Sequence, residues 1–167
     1  MDQLGLCRGD DETRRGIARS CATPLLRGMT REPSFIVTID DERHELFALA
    51  DGVITLDAIR AHLDEERAAG ALAYRELIDA RGATPALSPA DLRELIALLR
   101  GDALFARHGP TAIVVGTEDA FATMRTLALV LADVITLRVF RDFAEAVDWL
   151  AAMPAPTPGP LRPPTWH

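Results

Sequence analysis

The patterned part of the chain opens with an alternation of apolar and polar positions. Phe35, Val37 and Ile39 share one face of a predicted strand, and Asp40-Asp41-Glu42-Arg43 supplies a polar turn. Residues His44 to Ala50 return as a second strand, which makes a hairpin. Asp51-Gly52 interrupts that pattern, and a helix begins near Thr55, whose hydroxyl can cap the first turn. On this first helix Leu56, Ile59 and Leu63 form one apolar stripe, while Asp64, Glu65, Glu66 and Arg67 are expected in water.

Tyr74 to Ala80 reads as the next strand, with Leu77 and Ile78 buried, followed by a loop from Arg81 to Leu87. Ser88-Pro89-Ala90-Asp91 then marks a helix start: a Ser cap, Pro at the first helical position and an acid at the third. The helix behind it places Leu92, Leu95, Ile96 and Leu99 on one face. Ala112-Ile113-Val114-Val115 is a short continuous apolar run, as expected of a strand covered on both faces. Gly116 and Thr117 lead into a helix with Phe121, Met124, Leu127, Ala128 and Leu131 inward. Val134 to Phe140 form a last strand, and Asp142 caps a last helix carrying Phe143, Val147 and Leu150.

The order is ββαβαβαβα. Strands joined by single helices run parallel through right-handed crossovers, and the opening hairpin adds an antiparallel edge. The expected fold class is α/β, a mixed five-stranded sheet with helices packed against it. One domain is expected over residues 34–153, which suits a chain of 167 residues. Residues 1–33 show neither periodicity and are expected to form a flexible leader, with Met29 as an alternative translation start. Residues 154–167 hold six of the eleven prolines and are expected to be a disordered, polyproline-prone tail.

Composition narrows the function more than it defines it. Residues 34–152 carry 20 acidic groups against 11 arginines, an acidic surface that argues against nucleic acid as the partner. There is no lysine, so neither a Schiff-base nor a phosphate-loop lysine exists. The two cysteines, Cys7 and Cys21, lie in the leader, and the expected compartment is the cytoplasm. No apolar run approaches the roughly 20 residues of a membrane span. His44, His62, His108 and His167 fall on separate elements without ligand spacing, so no metal site and no cofactor are expected. No nucleophile elbow or dinucleotide fingerprint occurs, and no catalytic residue is assigned.

Ligands of open α/β sheets meet the crevice beyond the carboxyl ends of the parallel strands. That rule selects the loops Asp79 to Ser88 and Gly116 to Phe121, with Asp79, Arg81, Ser88, Thr117 and Arg125 as candidate binding residues. Each has a structural role to weigh beside it: a loop bond for Asp79, helix caps for Ser88 and Thr117, a surface ion pair for Arg125.

The hairpin, the Gly52-Val53-Ile54-Thr55 turn, Leu77-Ile78-Asp79-Ala80-Arg81, Leu87-Ser88-Pro89-Ala90-Asp91-Leu92, Ala112-Ile113-Val114-Val115 and Met124-Arg125 follow one another in a familiar order. With Val139-Phe140-Arg141-Asp142 and Ala146-Val147-Asp148-Trp149-Leu150 they span about residues 35–151. In this the chain resembles the STAS-type, SpoIIAA-like fold of the anti-sigma-factor antagonists and a group of uncharacterised bacterial proteins like them. The resemblance implies a non-enzymatic regulatory domain that docks a protein partner around helix two, where Asp91 and Arg93 are exposed. The antagonists carry a phosphorylated serine in Asp-Ser-Ser-Gly at that helix start. Here Ser88 is followed by Pro89-Ala90-Asp91, which departs from the motif. A more distant likeness to lipid-carrying domains implies the alternative, a small-molecule or lipid-binding domain. Homo-oligomerisation is left open.

Overall fold

The computed structural model describes residues 34–103 and 105–154. The expected leader, most of the expected tail, and with them Cys7, Cys21, Met29 and His167, lie outside these residues. Five strands form one sheet: β1 (Ser34–Asp40), β2 (Glu45–Ile54), β3 (Arg75–Pro85), β4 (Thr111–Val115) and β5 (Leu137–Phe140). Their spatial order follows the chain, with β1 antiparallel to β2 and every other pair parallel. This is the mixed α/β sheet expected from the sequence.

Four helices complete the fold: α1 (Leu56–Ala69), α2 (Pro89–Gly101), α3 (Glu118–Val130) and α4 (Phe143–Ala152). Each begins at the side-chain cap that its sequence supplies, Thr55, Ser88, Thr117 and Asp142. When strands advance steadily in one direction, right-handed crossovers place their helices on one face. Leu56 of α1, Leu95 and Leu99 of α2, Leu127 of α3 and Leu131 just beyond its end accordingly share a core cluster with Phe105. On the opposite face α4 packs Ala146 and Leu150 against Ala112, Val114 and Phe140. Trp149 joins this second cluster beside Phe140, with ring centroids 5.6 Å apart.

Five local expectations need correction. β2 continues through Asp51-Gly52 to Ile54 across a register shift, and β3 runs on through the expected loop to Pro85. Pairing with the far end of β2 extends both strands, a non-local effect. β5 starts at Leu137, because Val134 and Ile135 turn into the helical core instead. Val147 is 40% exposed rather than inward. Glu66, expected in water, is 2% exposed.

Candidate functional site

The burial of Glu66 has a geometric cause. On α1, Leu56, Ile59 and Leu63 pack into the helical core, and His62 and Glu66, four residues apart, occupy an adjoining stripe. That stripe lies over β3, where Glu76 shares with Ile78 and Ala80 the sheet face turned toward α1, α2 and α3. In the parallel register Glu76 pairs with Thr111, the first residue of β4. His108 reaches the same place from the segment just before β4.

Gly109 makes that approach possible. A Cβ there would lie 1.8 Å from the carbonyl oxygen of Tyr74. The bare backbone instead passes close enough for the Gly109 N–H to donate to Leu72 O at 2.8 Å, and the Glu76 N–H to donate to Pro110 O at 2.9 Å. His108 is thereby held over α1.

The groups form one buried network. His62 Nε2 lies 2.8 Å from Glu66 Oε1 and 2.8 Å from Glu76 Oε1. His108 Nε2 lies 3.3 Å from Glu66 Oε2, and its Nδ1 lies 2.9 Å from Gly109 O. The Thr111 hydroxyl donates to Glu76 Oε2 at 3.1 Å, and Phe35 stacks on the His62 ring at 4.5 Å. None of the five polar side chains is more than 5% exposed.

Burial opposes charge on His62, but the Glu66 and Glu76 carboxylates beside its Nε2 outweigh it and push the imidazole up to about 10. Burial likewise works against ionised Glu66, yet the two histidines hold its carboxyl well below the usual range. His108 is raised by Glu66 against the effect of burial. Glu76 moves the other way: burial and the neighbouring Glu66 charge raise it in spite of His62. Two carboxylates driven apart in this manner are the signature of a shared site.

Beside the network lies a cavity of about 140 Å³ between the sheet and the α1–α3 layer. Glu76, His108 and Thr111 are among its lining residues, and the rest of the lining is apolar, including Ala50, Ala80 and Val115 from the sheet and Leu63, Leu99 and Ala120 from the helices.

The residues singled out from the sequence do not converge here. Asp79 lies on β3 facing α4's side of the sheet, where Arg81 Nε and Nη2 clasp its carboxylate at 2.9 and 2.7 Å and hold it below its ordinary value. The Arg81 guanidinium in turn covers the Phe143 ring at 5.3 Å. Ser88 and Asp91 form a reciprocal cap, with Asp91 N–H donating to Ser88 Oγ at 3.2 Å and Ser88 N–H to Asp91 Oδ2 at 2.8 Å. Thr117 Oγ1 accepts from Ala120 N–H at 3.2 Å. Arg93 and Arg125 are exposed on α2 and α3. The reading of the histidines as scattered is corrected: the sheet brings His62 and His108 to one carboxylate. Two signals were present in the sequence, the four-residue spacing of His62 and Glu66 and the parity that sets Glu76 with Ile78.

No family model matches the chain, and no curated protein does. The chain is similar to the crystal structure of an uncharacterized protein from the DUF3478 family with a SpoIIAA-like fold from Shewanella loihica PV-4. Identity is 18% and the TM-score 0.49, over 71% of this chain and 93% of that one. Among the described residues no helix is long and apolar enough to cross a membrane.

Proposed function

We propose that this domain binds a small, largely apolar molecule in the cavity between the sheet and the α1–α3 layer, with a polar end of that molecule at Glu76, His108 and Thr111. The cavity itself carries the reading. At roughly 24 cal/mol per Å³ an empty void of about 140 Å³ costs about 3 kcal/mol, a large share of a small domain's stability. Ala50, Ala80 and Ala120 line it, and a larger side chain at any of them would fill space. An apolar cavity of roughly this size, about 150 Å³, stays dry and admits benzene in another protein. The test is a thermal-shift titration with benzene, phenol and indole, repeated on Ala120→Leu. Binding raises the melting temperature of the parent, and the filled variant loses that response. A parent that responds to none of the three, or a variant that responds equally, would overturn the reading.

A regulatory, partner-docking role of the STAS-like kind is supported by a separate observation. On the face of the hairpin that α4 leaves uncovered, Ile36, Phe47 and Leu49 are 62%, 37% and 38% exposed. Substituting Leu49→Arg should then abolish capture of a partner while leaving the apolar-probe response intact.

A further inference from the structure

We infer that His62, Glu66 and Glu76 form a binding site for one divalent transition cation of the zinc class, held between α1 and β3. The inference stands apart from the cavity-binding reading, although Glu76 borders both.

Hydrogen bonding alone leaves the network unfinished. His62 Nε2 can carry one hydrogen, yet it faces two carboxylate oxygens at 2.8 Å each. Glu66 Oε1 is buried and makes no hydrogen bond, although it is one of those two oxygens. His62 Nε2 and one oxygen from each of Glu66 and Glu76 all lie within 4.8 Å of one another. In a tetrahedral zinc site with bonds near 2.0–2.1 Å, donor atoms sit about 3.3 Å apart, so a small outward movement of side chains would seat the ion.

The outer contacts orient the two carboxylates, whereas His62 Nδ1 has no hydrogen-bond partner among the described residues. His108, held by its Nδ1–H donating to Gly109 O at 2.9 Å, meets Glu66 Oε2 with Nε2 at 3.3 Å and leaves Oε1 turned to His62. The Thr111 hydroxyl holds Glu76 Oε2 and leaves Oε1 facing His62. One imidazole with two carboxylates suits zinc, whereas calcium and magnesium require more oxygen donors. Three protein donors leave one position of a tetrahedral site open, as in sites that keep an exchangeable fourth ligand.

The test uses the full chain, stripped with a chelator and titrated with zinc chloride by calorimetry, with cobalt chloride as the spectroscopic probe. One equivalent should bind, the melting temperature should rise, and cobalt should show the absorption of a four-coordinate nitrogen–oxygen site. Glu66→Gln and His62→Gln should each weaken zinc affinity about tenfold or more, whereas His44→Ala should not. Should a variant fail to fold, X-ray absorption of the zinc-loaded parent decides, since the site requires one imidazole in the coordination shell. Substoichiometric binding, zinc affinity that survives both substitutions, or a shell without imidazole would overturn the inference.

Discussion

Glu66→Gln in chelator-treated protein is the most direct probe of the buried network. The side chain is 2% exposed and touches His62 Nε2 at 2.8 Å and His108 Nε2 at 3.3 Å. Glutamine keeps its shape, so the change is one of charge rather than packing. Two raised histidines then share Glu76 alone. Removing one partner of a buried ion pair costs about 3–5 kcal/mol, which for a domain of this size lowers the melting temperature by roughly 10 °C.

The pH dependence identifies the cause. His62 is raised from an ordinary 6.5 to about 10 in the folded protein. Its contribution is therefore present in full below about pH 6.5 and lost as pH climbs through about 10. Glu66 is lowered from an ordinary 4.5, so its contribution is present above that value and lost as pH falls through its folded value. The gap between parent and variant should be widest near pH 5–6.5 and narrow toward about pH 10, where a neutral His62 no longer needs the carboxylate. Urea denaturation followed by circular dichroism at about pH 6 and about pH 10, with chelator present, measures both. A loss under about 1 kcal/mol at the lower pH, or a gap that widens as pH rises, would refute a charged network.

Two further substitutions probe how the site and its surroundings are held. Gly109→Ala places a Cβ 1.8 Å from Tyr74 O and forces the His108 segment to move, at a cost of about 1–3 kcal/mol in denaturant titration; parental stability would mean that the backbone yields there. Ser88→Ala should lose about 1 kcal/mol, because the α2 cap loses its acceptor for Asp91 N–H, with no change in zinc or apolar-probe binding.

What could be read from the sequence was local. All four helix starts follow from a capping side chain within its own turn, and the hairpin follows from alternation around Asp40–Arg43. The strand ends were harder because partners set them: β3 extends to Pro85 only because β2 continues beside it to Ile54. The buried network was missed for the same reason. Glu66 sits in a run of four charged residues, and such a run reads as a solvated face until β3 and the segment before β4 are laid against it. His62 and His108 are separated by 46 positions, so only the sheet topology shows that they share a carboxylate.

That missed feature is also the most informative one energetically. Replacing a buried ionic group by packed apolar side chains is often neutral or stabilising, so charge burial by itself does little for the fold. An unfilled cavity is likewise a cost that three of its alanines could remove by growing. Here the two costs adjoin, joined through Glu76, His108 and Thr111. A fold that needed only stability would carry neither at this position. Their adjacency is best explained if the region between the sheet and α1 is built to receive something, an apolar molecule in the cavity and a cation among His62, Glu66 and Glu76.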